Sequence, residues 1–365
     1  MIERGDFASE TSSRSTKLIW AGIRYIGTAV AALLSRNTLK NPKQSIENFV
    51  GEFKMVLGAH RERRFLLETQ PHLTHWQPIA VPIEKWVSWP PPMGHPLFAA
   101  AGLMLPLVFK FYDSLSSFSC PSSYVLSKRR ALKLFPQLDS PRMKYTQVFY
   151  EGMHNDARTC LSIALTAAES GATIGNYVEV VSLERTDVDD KERVTGVTVI
   201  DRLSDETFVI QAKAFVFAGG PFTDGLRKLE DENCEAAVSG AAGTHIVLPG
   251  YFSHEGMGLL DINTSDGRFL FFLPWQGHTL VGTTDRKGEP RSSPAAPEDE
   301  IQWLLNEVKK YLSPELRVRR SDVLSAWQGW RPLARDPHAP PDAPPSRGKF
   351  ELFQSVSWLK TMQIM

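Results

Sequence analysis

A mixed α/β fold with two intermingled units is what this sequence predicts, and three observations carry the prediction. Between residues 155 and 218 a helical pattern gives way to β-branched runs separated by short polar turns. A second group of such runs lies between residues 243 and 284 and is followed by another helical pattern. The 365 residues, 42% of them hydrophobic, can furnish the core of one large or two medium domains. Strand groups flanked by helices imply packed layers of both element types.

The elements follow in order. Residues 12–32 read as a polar entry into a helix. Residues 41–68 are expected to be helical: Asn41 can cap, and Pro42 falls at the first helical position, where no N–H is needed. Residues 78–96 are rich in proline and tryptophan and are expected to be irregular, because proline removes backbone donors. The apolar run 97–109 is shorter than the roughly 20 residues that span a bilayer, and Pro106 interrupts it. It reads either as a core helix or as a segment dipping into a membrane interface. The second reading draws on Trp76, Trp86 and Trp89 just upstream.

Residues 127–135 look like a short helix. A longer one covers 154–171, with Asn155 or Asp156 as its cap and Gly171 as its stop. Strands are expected at 173–183, 194–201, 207–211 and 214–218, a sheet carrying a β-meander crossover and a return strand. Further strands are expected at 243–249, 268–274 and 279–284, then a helix over 297–312. The proline run 332–345 is expected to be irregular. There are no internal repeats.

Charge and cysteine content exclude some classes. Forty-one basic residues balance 41 acidic ones, so bulk charge gives a nucleic-acid partner no support. Cys120, Cys160 and Cys234 are few and far apart, as buried thiols are rather than a secreted disulfide framework. The first residues contain no apolar core of a signal peptide, and Glu3, Asp6 and Glu10 do not suit a transit peptide. His72 and His75 have a metal-like spacing without a third ligand nearby, so no metal is expected.

Four clusters can carry chemistry. Ser12, Ser13, Ser15 and Thr16 stand beside Lys17, with Gly22 and the pair Arg24-Tyr25 just beyond. At a helix N-terminus these could donate to a phosphate or a ring system, and a capped surface helix explains the same composition. Ala218, Gly219 and Gly220 follow an apolar run, and small residues there would let a ligand approach the backbone. His245 stands alone as a candidate; most such histidines are structural. Arg331, between Trp330 and Pro332, wants an anion, either a ligand or an intramolecular carboxylate.

Taken together, the strings TSSRSTKLI with GIRY, SYVLSKRRAL, YEGMHNDAR, THIVLPGYFS, MGLLDINTSDGRFLFFLPW, VGTTD and GWRPL resemble the FAD-dependent, quinone-reducing glycerol-3-phosphate dehydrogenases of the mitochondrial type. The resemblance covers nearly the whole chain to about residue 345. It implies a Rossmann-like FAD-binding domain interwoven with an antiparallel-sheet substrate domain. The first would comprise 1–75 and 140–225 and lack its first βαβ unit. The second would comprise 76–139 and 226–335, and 336–365 would be a divergent proline-rich tail. The implied reaction is oxidation of sn-glycerol 3-phosphate to dihydroxyacetone phosphate, with electrons passed to a quinone. Peripheral contact with the mitochondrial inner membrane is implied too, and a homodimer is compatible with it.

Residue by residue, the resemblance places Glu3 at the adenosine ribose and Val180 at the adenine. It places Ser12, Ser13, Ser15, Lys17 and Gly22 in the flavin-side loop, and Ala218 and Gly219 in the turn beside the FAD. Arg24, Tyr25, His245 and Arg331 match substrate-pocket positions, with Arg331 and Arg347 as grips for the substrate phosphate. The pattern also breaks. No G-x-G-x-x-G occurs, although that loop supplies the pyrophosphate's donors in dinucleotide folds. Trp20-Ala21-Gly22 replaces the family's His-Gly-Gly, and the family's glycine-glycine-lysine loop is missing after Arg347. The alternative expectation is therefore a non-catalytic, degenerate or truncated relative that does not hold FAD.

Overall fold

The computed structural model describes residues 1–34, 38, 40–87, 99–138, 143–188, 191–262 and 264–335. Ten strands form one large sheet: β1 (Leu18–Ile19), β2 (Thr74–Ile83), β3 (Tyr124–Ser127), β4 (Tyr145–His154), β8 (Val238–Pro249), β9 (Gly258–Asp261), β10 (Leu270–Trp275), β11 (His278–Gly282), β12 (Arg286–Lys287) and β13 (Ser325–Ala334). The order is β1-β4-β2-β9-β10-β11-β8-β12, with β3 also on β4 and β13 also on β8. All pairs are antiparallel except β2 with β9. A separate antiparallel meander holds β5 (Val178–Val188), β6 (Lys191–Asp201) and β7 (Thr207–Gln211). Mixed α/β architecture with an antiparallel sheet is thus what the chain adopts.

Alternation along the strands divides the core in two. Leu270 and Phe272 of β10 point to one face, where the helix α7 (Glu298–Tyr311) lies with α4 (Lys128–Leu134). Residues Ile301, Leu304, Leu305 and Val308 of α7 recur at helical spacing and are all buried there. Each such side chain contributes about 1.5–3 kcal/mol by leaving water. Phe271 and Leu273 point to the other face, with Ile79, Phe149, Met153 and Leu280. That face is covered by α1 (Ile23–Leu33), α2 (Pro42–Thr69) and α3 (Ala101–Leu115). Helix α2 buries only the narrow stripe Val56, His60 and Arg63.

Several expectations are corrected. Residues 78–83 are not irregular: Pro78 and Pro82 lie inside β2, which pairs along its whole length with β4. Its other neighbour, β9, pairs only at Ile79 and Ala80, so most of that edge has no ladder for a proline to break. Residues 88–96 of that expectation lie outside the described residues. Pro332 is likewise in a strand, β13, whose only partner among the described residues is β8; such an edge tolerates proline. The expected return strand at 214–218 does not form: those residues are in no ladder, and Val216 is 77% exposed. The first meander strand begins at Val178 rather than at 173, after Tyr177 takes a left-handed φ of 56°. The proline-rich tail 336–365 is outside the described residues.

Helix α3 carries most of the apolar run. Gly102, Phe109, Tyr112 and Asp113 face inward, while Leu103, Met104, Leu107, Val108 and Phe111 are exposed. One face thus packs into the core, and the other is an apolar outer row. Pro106 removes the N–H that would bond the Gly102 carbonyl, and the Tyr145 hydroxyl donates to that carbonyl instead. No helix among the described residues is long and apolar enough to cross a membrane. The long helix α5 (Asp156–Glu169) starts as expected, Asn155 accepting from the Arg158 N–H at 3.2 Å.

Candidate active site

Strand β8 is the spine of the site. Its partner β13 sets Trp327 opposite His245 and Arg331 opposite Ala241. Segment 11–25 runs across these strands: Thr11 donates to the Trp330 carbonyl at 2.8 Å, and Trp327 Nε1 donates to the Arg14 carbonyl at 3.3 Å. Together they enclose a cleft of about 510 Å³. Four arginines line it, Arg14, Arg24, Arg268 and Arg331. Glu10, Asp266 and Asp285 pair with Arg14, Arg268 and Arg331, which leaves the charge of Arg24 to favour an anionic ligand.

Arg331 is held in place from several sides. It donates to Asp285 Oδ1 at 3.2 Å, to Thr283 Oγ1 at 2.9 Å and to the Thr284 carbonyl at 3.3 Å. Gly243 makes the approach feasible, since a Cβ there would strike the Arg331 guanidinium and Thr283. His245 is 2% exposed, and its ring stacks on Trp327 with centroids 5.3 Å apart. Its Nε2 is 2.8 Å from Thr16 Oγ1, and its buried Nδ1 has no partner among the described residues. Burial, then the charges of Arg331 and Lys17, push its pKa down to about 3, so the imidazole is neutral at ordinary pH. Arg24 is exposed, makes no ion pair among the described residues, and lies over the Phe269 ring at 5.1 Å. It and Tyr25 are carried by the first turn of α1, which begins after Gly22 adopts φ 86°, a conformation costly for any other residue.

Sequence and structure meet as follows. Arg24, Tyr25, His245, Arg331 and Ser15 line this one cleft. Ser13 and Lys17 stand behind it, their groups turned inward: Lys17 Nζ donates to the Ser13 carbonyl and to Asp156 Oδ1, both at 2.7 Å. Ser15 Oγ donates to Asp156 Oδ2 at 2.8 Å. Ser12 lies in the exposed 3₁₀ turn at Thr11–Ser13. A second cluster gathers elsewhere. The Glu3 N–H donates to the Gly175 carbonyl and the Val178 N–H to the Glu3 carbonyl, each at 2.9 Å, close to Val180. Arg4 lies over the Phe222 ring at 4.7 Å, which brings the turn after Ala218 and Gly219 to the same end. Arg347 is outside the described residues. Sequence reasoning missed Asp156 as organiser of the 13–17 loop, as well as Arg14 and Arg268. In the sequence Asp156 reads only as a candidate helix cap, because its partner Lys17 is 139 positions away.

FAD can be tested against these residues. The ring end suits it: the apolar side chains of Leu18, Trp20, Phe271 and Trp330 meet arginines, and the buried Trp330 Nε1 and His245 Nδ1 lack partners. The pyrophosphate end is not built by the described residues, since no G-x-G-x-x-G turn occurs in the sequence.

The fold is that of an FAD-dependent oxidoreductase. Residues 1–349 match the model of the family "FAD dependent oxidoreductase", and the chain belongs to that family. Its curated relatives are glycerol-3-phosphate dehydrogenases. It is 46% identical over 340 residues to the mitochondrial glycerol-3-phosphate dehydrogenase of Mus musculus, covering 92% of this chain and 43% of that protein. It is 39% identical over 348 residues to the Arabidopsis thaliana mitochondrial enzyme, covering 93% of this chain and 50% of that one. The chain therefore spans about half the length of the curated relatives it matches. Among solved structures it is similar to the glycerol-3-phosphate dehydrogenase of Bacillus halodurans complexed with FAD, with a TM-score of 0.64 and 27% identity over 91% of this chain and 51% of that one.

Proposed function

We propose that this chain carries the substrate cleft of an FAD-dependent enzyme that oxidises sn-glycerol 3-phosphate to dihydroxyacetone phosphate and passes the electrons to a quinone. The observation that carries the reading is the arginine-lined cleft with a rigid Arg331 beside a neutral, buried His245. Arg331 and the exposed Arg24 grip the phosphate dianion. His245, held neutral, accepts a hydrogen bond from the C2 hydroxyl and orients it for the loss of hydride from C2. FAD, when bound, supplies the hydride acceptor. Glu3, Val180, Ala218 and Gly219 would meet its adenosine end, and Ser15 and Gly22 its ring end. The division into a cofactor unit (1–75 and 140–225) and a substrate unit (76–139 and 226–335) belongs to the same proposal. So does a mitochondrial inner-membrane location, with the apolar outer row of α3 resting in the interface next to the quinone.

The test is Arg331→Ala in the full-length enzyme. The Michaelis constant for glycerol 3-phosphate should rise roughly tenfold or more, because a charge-assisted contact contributes about 1.5–3 kcal/mol. An unchanged constant removes Arg331 from the site. One observation favours a second reading, a relative that does not hold FAD: Trp20-Ala21-Gly22 stands where the family has His-Gly-Gly, and Trp20 lines the cleft. The visible spectrum of the 365-residue chain purified with added FAD separates the two. A protein-bound flavin band supports the oxidoreductase, and a colourless protein supports the second reading.

A further inference from the structure

An ion pair lies behind the cleft and has no role in the reading above. Glu151 of β4 and Arg63 of α2 are both fully buried and in direct contact. Two opposite charges kept from water need partners for their polar atoms, and of this pair Arg63 Nε alone has none among the described residues. Arg63 donates from Nη2 to His60 Nδ1 at 2.8 Å and lies over the Trp76 ring at 5.0 Å. Burial, then Arg63, push the His60 pKa down to about 3, so this acceptor stays neutral. Glu151 Oε1 accepts from the Tyr112 hydroxyl at 2.6 Å. Its Oε2 accepts from the Ala21 N–H at 3.1 Å.

That last bond reaches out of the network. Ala21 is 1% exposed and lies between β1 and α1. Strand β1 follows β4 with Leu18 opposite Met153 and Ile19 opposite Gly152, and the ladder then stops. One residue further along β4, Glu151 takes the Ala21 amide with its side chain. The chain turns at Gly22 and enters α1. Trp20 on one side of Ala21, and Arg24 and Tyr25 on the other, all line the cleft. Gly152 leaves the room required: a Cβ there would stand 3.1 Å from Ile19 Cβ and 3.2 Å from Arg63 Cγ.

We propose that Glu151, charge-paired with Arg63, is a positioning residue: it fixes the 20–22 loop and thereby the places of Trp20, Arg24 and Tyr25 in the cleft. Neither Glu151 nor Arg63 lines the cleft. The effect on substrate rests on the function proposed above; the hold on the loop does not.

The experiment measures hydrogen exchange of the peptide spanning residues 18–25, with glycerol 3-phosphate kinetics on the same full-length, FAD-loaded protein. Glu151→Leu removes the acceptor. Exchange in 18–25 should accelerate by roughly tenfold or more, and far beyond any change in the β8 peptide, while KM for glycerol 3-phosphate rises. Glu151→Asp keeps the charge for Arg63 but draws the carboxylate back from Ala21. It should accelerate the loop beyond any change in β8, with a smaller fall in thermal midpoint than Glu151→Leu, and it decides the matter if the leucine variant does not fold. Unchanged loop exchange in Glu151→Asp, or acceleration equal to that of β8 in Glu151→Leu, would overturn the proposal. Selective loop acceleration in a protein that never turns over glycerol 3-phosphate would uphold the positioning role and remove the substrate reading instead.

Discussion

The large sheet and the three-stranded meander are built from similar β-branched sequence, yet they bury it very differently. In the large sheet both faces are covered, and Ile79, Phe149, Ile246, Leu273 and Leu280 are sealed from solvent. In the meander Val197 and Val199 are the only buried hydrophobic side chains among the described residues, while Val181, Phe208 and Val209 are exposed. Nearby, Ile163 and Leu165 of α5 and the unpaired Val216 are exposed as well. The cleft is made by the region that completes its own packing. The residues expected to meet an adenosine belong to the region that does not. Stability and site rigidity should therefore divide along the same line.

The sharpest way to break this comparison is to cut one phenylalanine from each region. Phe149→Ala empties a fully buried position packed against Trp20, Phe109 and Tyr112. It should cost about 3–5 kcal/mol in urea unfolding. Phe208→Ala, on a half-exposed side chain, should cost under about 0.5 kcal/mol. Equal losses would mean that the meander is covered in solution.

Acid gives the next largest effect. His60 and His245 are both buried near the large sheet with pKa values pushed down to about 3. The unfolded chain protonates these groups near pH 6.5. Between pH 6.5 and 3 it therefore binds protons that the folded protein refuses. Their contribution is complete above pH 6.5 and is lost as pH falls through that window, by at most about 1.4 kcal/mol per pH unit for each histidine. Urea midpoints at pH 7 and pH 5 should show the loss, and His245→Asn should flatten the slope. A slope unchanged by that substitution would show that His245 titrates normally in the folded state.

What was legible in the sequence followed the same division, for physical reasons. Helix α7 was legible because its buried residues recur at helical spacing and Pro297 precedes its first turn. Strand β4 was not read as a strand at all. It is buried on both faces and carries Thr146, Gln147 and Glu151 inside, so it shows no alternation. Strand β2 was hidden by two prolines that its neighbours tolerate. The return strand at 214–218 had the right composition, but a strand also needs a partner ladder, which composition does not report. In the site, Arg24, Tyr25, His245 and Arg331 stand out in the sequence clusters, and the family resemblance supplies their substrate-pocket roles. Asp156 and Glu151 could not be read, because their meaning lies in Lys17, Arg63 and Ala21, each far away along the chain.

The smallest effect on stability is expected on the outer row of α3, where the comparison meets function. Leu103 and Leu107 are 61% and 64% exposed, so little apolar area leaves water when the chain folds. Replacing both with serine should change unfolding by less than about 0.5 kcal/mol per site. Vesicle binding should respond quite differently. A row of five exposed apolar side chains gains on the order of 25 cal/mol for each Å² it sinks into an interface, and two serines remove much of that gain. Co-sedimentation with anionic vesicles should therefore fall sharply in the double variant while the urea midpoint holds. Unchanged vesicle binding, together with a fall in apparent size on gel filtration, would assign the row to a second copy of the chain. A large loss of stability would place it in the core, and the division between a self-sealed sheet and exposed apolar surfaces would have to be redrawn at α3.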